Sequence, residues 1–192
     1  MATGQAPSNP VPAMRTYPPA EHPVVVIGPQ YLAQYPVELA VSTKLWTLGE
    51  NDFKVSDING TVIFQVTKKL FSLTDRRFLK DAASNTIVNL KRKIMSLHQT
   101  WETELDVFLA HHNEGELPDF KVKGEYGESA CSVLLGDSNT MLAQMHKRHS
   151  LASTILNPDS LGVNVYPNVD YAFIVTLVVI LGQINADQNG KH

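Results

Sequence analysis

Tyr171-Ala172-Phe173-Ile174-Val175-Thr176-Leu177-Val178-Val179-Ile180-Leu181 is the most hydrophobic run in the chain, and the rest of the sequence is read around it. Pro167 with Asn168 or Asp170 can start a helix here, and Gly182 can help end one. Apolar residues fall on every face of such a helix, so it must be buried all round. A membrane span takes about 20 such residues, whereas runs of about 10 to 14 belong more often to core helices. Asp170 stands directly before the run, and Gln183, Asn185 and Asp187 follow it. A core helix over 169–184 is the reading adopted; a core strand and a membrane anchor are the alternatives.

Upstream, the period changes from all-round to alternating. Val24-Val25-Val26-Ile27 is a β-branched run stopped by Gly28-Pro29, which suits a strand and a turn. Phe53 and Val55 alternate with Lys54 and Ser56, and Asn59-Gly60 leads into Val62, Phe64 and Val66. Asn-Gly readily takes the positive φ angles of a type I′ turn, so a β-hairpin is predicted over 51–67. Further strands are read around Val88 and Leu90, Leu105 to Leu109, Phe120 and Val122, Val133 and Leu135, Met141 to Met145, and Leu161 to Val165. Short strands at this spacing indicate an all-β sandwich or barrel. Asp52-Phe53-Lys54-Val55 returns as Asp119-Phe120-Lys121-Val122, a short echo that suggests two related halves.

A chain of 192 residues suits one domain with a sizeable core. Its 43% apolar and 18% charged residues separate it from disordered sequences. The exception is 1–23, where Pro10, Pro12, Pro18, Pro19 and Pro23 stand among small and polar residues and predict a flexible arm. The domain is expected over 24–186, with a flexible tail at 187–192. A net charge of −3 argues against general electrostatic binding to nucleic acid, although it leaves room for a local basic patch. Cys131 is the single cysteine, so no intramolecular disulfide can form, and Met1 to Gln5 carries no secretory pattern. The expected location is cytoplasmic, nuclear, or peripheral at the plasma membrane, and the Asn59-Gly60-Thr61 sequon reads as accidental.

No set of residues reads as an active site. His111 and His112 are adjacent and point to opposite faces of a strand, while His146 and His149 would share a face only on a helix. Neither pair, nor His98, resembles a tetrahedral zinc set, so no metal is expected. Cys131 and Ser132 lie in a strand-like run without a nucleophile elbow. The chain has no phosphate loop and no dinucleotide fingerprint, so no cofactor is expected either. Four basic clusters remain: Lys68-Lys69, Arg76-Arg77, Lys91-Arg92-Lys93 and Lys147-Arg148-His149. They read either as solvated strand ends that discourage edge pairing or as a patch for anionic phospholipid head groups, each residue contributing about 1 kcal/mol. The candidate contacts are Lys68, Lys69, Lys91, Arg92 and Lys93.

Several strings resemble the plant LURP-one-related family. They are Tyr35-Pro36-Val37 with Leu45-Trp46, Phe53-Lys54-Val55-Ser56-Asp57 with Asn59-Gly60, and Phe64-Gln65-Val66. Asp75-Arg76-Arg77, Leu90-Lys91-Arg92-Lys93, Ser96-Leu97-His98 with Trp101, and Leu105-Asp106-Val107-Phe108-Leu109 follow. The last are Phe120-Lys121-Val122-Lys123-Gly124 and Val165-Tyr166-Pro167-Asn168-Val169-Asp170-Tyr171-Ala172-Phe173-Ile174. The resemblance spans about 24–186. It implies a tubby-like antiparallel β-barrel around a central apolar C-terminal helix, similar in fold to the tubby C-terminal domain and to phospholipid scramblases. Tubby domains bind phosphoinositides, scramblases act on membranes, and some members of the plant family are associated with pathogen defence.

The function expected from this is a non-enzymatic binding or signalling module, acting at a phosphoinositide-bearing membrane surface or on protein partners, in plant defence. The alternative is an intracellular enzyme or a scramblase-like lipid protein. Scramblase activity is disfavoured because the chain lacks a convincing spanning segment, a cysteine-rich acylation stretch and an evident calcium loop.

One departure from the family stands out. Relatives carry about two more strands between the position of Trp101 and that of Leu105, whereas Trp101-Glu102-Thr103-Glu104 joins them directly here. A splice form or an incomplete gene model would account for this. The barrel is therefore expected to be open between the strand at 86–91 and that at 105–109, with lowered stability and more self-association.

Overall fold

The computed structural model describes residues 18–42, 52–68, 76–91, 104–109, 117–124, 130–147 and 160–189. In chain order it contains β1 (Val37–Ser42), β2 (Asp52–Asp57), β3 (Val62–Lys68), β4 (Arg76–Asp81) and β5 (Thr86–Lys91). These are followed by β6 (Glu104–Val107), β7 (Phe120–Gly124), β8 (Ala130–Leu135), β9 (Met141–Lys147), β10 (Ser160–Val165) and α1 (Tyr171–Asn189). Before β1, Pro29–Tyr31 makes one turn of 3-10 helix. The strands form a single antiparallel sheet in the order β5-β4-β3-β2-β1-β10-β9-β8-β7-β6. It consists of two five-stranded meanders joined where β1 meets β10, with Val37 opposite Val165 and Ser42 opposite Ser160. The echoed tetrapeptides fall on β2 and at the start of β7, the second strand of each meander, and place Phe53, Val55, Phe120 and Val122 in the core.

The sheet is not closed: its edges are β5 and β6, where the shortened connection was expected to leave a seam. Along the outer strands the inward residues alternate with half-buried or exposed ones, as in β3, where Phe64 and Val66 are buried and Gln65 and Thr67 are not, whereas β10 is buried at every position. The inner face is filled by α1, on which every residue from Ala172 to Val179 is buried. Phe173 stacks on Phe120 of β7 with ring centroids 4.6 Å apart, and Tyr171 meets Phe64 of β3 at 5.8 Å. Strands of both meanders therefore pack on the one helix. The polar Thr176 is accommodated because its hydroxyl donates to the Ala172 carbonyl one turn earlier, at 2.9 Å. Among the described residues no helix is long and apolar enough to cross a membrane.

Four local readings change. The hairpin of β2 and β3 forms, but its turn is not type I′, which requires positive φ at both central residues. Only Gly60 has it (φ 84°). The Asp57 carboxylate accepts from the Asn59 and Thr61 amides at 2.9 and 2.8 Å, drawing the chain into a three-residue loop. Asp81 and Ser84 (φ 68°) build the same kind of loop between β4 and β5. Second, Val24-Val25-Val26-Ile27 is not a strand; it makes only an isolated bridge from Val24 to Val169. Third, α1 continues through Gly182 to Asn189, so the backbone at 187–189 is helical where a tail was expected, and 190–192 lie outside the described residues. Fourth, packing begins before Val24: Ala20 is 3% exposed, and its amide donates to the Pro167 carbonyl at 3.2 Å.

Two outcomes follow from this packing. Val175 is fully buried, and Val175→Asp would place an unpaired charge in an apolar interior at a cost of about 5 kcal/mol or more. The variant should lose its cooperative melting transition. A chain starting at Pro18 should melt like the parent, whereas one starting at Val24 should melt about 3 °C or more lower, because Ala20 and its backbone bond are gone. Calorimetry of both shortened chains checks this.

Candidate functional site

The first polar feature of note is a buried carboxylate. Asp170 has no exposed surface. Its Oδ2 accepts from the amides of Val26, Ile27 and Gly28 at 3.2, 2.7 and 3.0 Å, and its Oδ1 accepts from Phe173 at 3.0 Å in the first turn of α1. Three successive amides converge on one oxygen only where the backbone curls, which is why the 24–27 run is not extended. Asp170 is thus the N-cap of α1 and the tie that fastens the entering chain across the helix start. The backbone adds bonds on both sides: Val24 donates to Asn168 at 2.8 Å, Asp170 to Val24 at 3.0 Å, and Asn168 to Ala33 at 2.8 Å. Asn168 has φ 64°, a conformation asparagine tolerates better than most residues. All of these donors and acceptors are spent on the fold, so the constellation is structural.

Cys131 is equally removed from chemistry. It is 2% exposed on β8, and burial pushes its thiol up to about 11, so it stays protonated near neutral pH. His146 is half-buried on β9, while His98, His111, His112 and His149 lie outside the described residues. Among the described residues no group of three or more His, Cys, Asp or Glu could hold a metal ion. On the outer surface, Lys121 bridges Asp137 and lies 3.9 Å from Asp106, and the lysine beside Asp137 holds that carboxyl below its usual range.

The basic clusters behave differently: the sheet gathers them. Lys68 ends β3 and pairs in register with Arg77 on β4, and the neighbouring Arg76 pairs with Lys91, which ends β5. Because neighbouring strands are antiparallel, the ends of β3, β5 and β9 and the start of β4 all lie at one end of the sheet. Lys147, ending β9, is there as well, and so is Lys123 near the end of β7. Asp52 and Glu104 begin β2 and β6 at the same end. The Asp170 tie and the turns at 58–61 and 82–85 lie at the opposite end. Of the candidate contacts, Lys68 and Lys91 are thus brought to one rim, and Lys69, Arg92 and Lys93 lie outside the described residues.

Arg77, read from the sequence as part of a basic cluster but not as a candidate contact, is only 9% exposed. It alternates with Leu79, which is fully buried, so the strand turns it toward the inner face at the rim. Lys68, opposite it, continues the inward series of Phe64 and Val66 and is half-buried. The signal available was the i, i+2 relation of Arg77 to Leu79, which becomes informative only once β4 is recognised as a strand.

Comparison with known proteins was made on this basis. A family model described as LURP-one-related matches residues 37–182. Protein LURP-one-related 15 of Arabidopsis thaliana is 37% identical over 188 aligned residues, covering 85% of this chain and 87% of that protein. Protein LURP-one-related 10 of the same plant is 36% identical over 192, covering 86% and 99%. In each case the covered share of this chain is about 165 residues, fewer than the positions aligned, so these relatives carry chain within the aligned stretch that is missing here. An X-ray structure of an Arabidopsis thaliana protein superposes with a TM-score of 0.65 at 33% identity, covering 84% of this chain and 98% of that one.

The Asp170 tie makes a quantitative prediction. Asp170→Ala would leave four amides around it without their acceptor and remove the helix cap, costing about 3 kcal/mol. The melting temperature should fall by about 10 °C, and hydrogen exchange should speed up first at residues 20–33.

Proposed function

The chain belongs to the LURP-one-related family, and from that premise we propose that it is a non-enzymatic binding or signalling module of plant defence whose contact surface is the basic end of the sheet. The observation that carries this reading is the convergence of Lys68, Arg76, Arg77, Lys91 and Lys147 on one rim by the strand register. Like charges directly opposite each other across a ladder repel, and the Lys68–Arg77 pair is such a case. An anion lying over the rim is attracted by both. The side chains of α1 take up the inner face of the sheet, which leaves the outside and the rims as the surface for recognition.

The ligand class that fits is a multiply charged anionic head group at a membrane surface, met by Lys68 and Lys91 together with Lys69, Arg92 and Lys93. Such a contact is peripheral, and its strength is electrostatic.

Flotation with phosphatidylcholine vesicles containing phosphatidylinositol 4,5-bisphosphate tests the proposal. The parent should float, and raising salt from about 0.1 to 0.5 M should weaken binding at least tenfold as the charges are screened. Lys91→Glu, Arg92→Glu and Lys93→Glu together should reduce it by about a hundredfold or more without changing the melting temperature. A parent that stays with the lipid-free fraction, or a triple variant that floats equally well, overturns the reading.

A further inference from the structure

We propose that the gap between β5 and β6 is a slot that accepts a β-hairpin from a partner protein. The hairpin would carry apolar residues at its inward positions and basic residues outward on the strand that lies along β6. This proposal is independent of the basic rim and of any lipid. Among the described residues, β5 pairs only with β4, and β6 only with β7. The outer edge of each therefore presents backbone donors and acceptors of the kind that attract another strand.

The inner face shows the same incompleteness. Val88 and Leu90 stand opposite Leu79 and Arg77, and Leu105 and Val107 stand opposite Val122 and Phe120, so all four project inward. Leu79, Val122 and Phe120 are 0%, 3% and 3% exposed. The four apolar residues beside the gap are only half-buried. The interior is thus wetter along both margins of the gap than one strand further in. Closing the sheet on itself would narrow it around α1, whose residues 172–179 are already buried, and overpacking a filled core is unfavourable.

Strand parity selects the occupant. Directions alternate across the ten-stranded sheet, so β5 and β6, as its first and last members, run antiparallel to each other. One inserted strand would be antiparallel to one neighbour and parallel to the other; two joined by a tight turn restore antiparallel pairing throughout. The relatives carry chain that this one lacks. Charge sets the orientation. Asp106 occupies an outward register position on β6, opposite Lys121, while Ile87 and Asn89 of β5 are uncharged. Basic residues on the strand along β6 would extend the ladder of alternating charge.

The probe is a synthetic hairpin peptide closed by Asn-Gly, with Val at alternate positions, Lys at the remaining positions of one strand and Thr at those of the other. It is added to the full chain, with a scrambled peptide of the same composition as control. Expected results are binding about tenfold tighter than the control, a melting temperature raised by about 5 °C at saturation, and slowed amide exchange confined to 87–91 and 104–107. Asp106→Asn should weaken binding about threefold at low salt while leaving the peptide-free melt unchanged. Equal affinity for the scrambled peptide, protection outside those two strands, or no binding would overturn the proposal. So would dimerisation of the chain through these edges, since a second copy would then be the occupant.

Discussion

A helix that is apolar on every face has no stable place at a surface, and this one constraint organises the molecule. Side chains from Ala172 to Val179 are buried without interruption, so α1 needs partners all around it, and a single sheet provides them only by curving. The two five-stranded meanders are the two sides of that wrap, and the β1–β10 ladder is the join between them. Even the arrival of the chain is tied to the helix: the Asp170 carboxylate caps α1 and gathers the amides of Val26 to Gly28 in the same act.

The two ends of the sheet are built from different chemistry. One is closed by short turns, two organised by an aspartate reaching over its own backbone, Asp57 and Asp81, and a third by the Ser138 hydroxyl, and by the Asp170 tie. At Asp81, the hydrogen bonds from Asn85 hold the carboxyl below its usual range. The other end gathers Lys68, Arg76, Arg77, Lys91 and Lys147, with Asp52 and Glu104 among them.

What was legible in the sequence was what local chemistry decides. Eleven nearly unbroken apolar residues from Tyr171 to Leu181 announce a buried helix, and alternation such as Phe53, Val55 and Val62, Phe64, Val66 announces half-buried strands. β1 and β4 were harder to see. In Val37–Ser42 and Arg76–Asp81 charged residues interrupt the apolar pattern, and Arg77 takes an inward position where an apolar residue is expected. The Asp170 tie was out of reach because its two halves lie more than 140 residues apart. Read locally, Val24-Val25-Val26-Ile27 is a strand; only the distant carboxylate bends it. The basic clusters were visible as four separate strings, and their meeting at one rim depends on strand order, which periodicity does not determine.

The β1–β10 join has a consequence for how the chain is made. β1 finds its main partner only after 117 further residues, and the helix that fills the sheet follows later still. While the chain emerges from the ribosome, the first meander exists without its interior and with Leu39, Val41, Val55, Phe64 and Val66 facing nothing. Contacts this distant in sequence form slowly, and exposed apolar strands invite wrong pairings meanwhile. The domain therefore completes its folding only once α1 has been made, and until then its apolar strand faces stay open to wrong pairing.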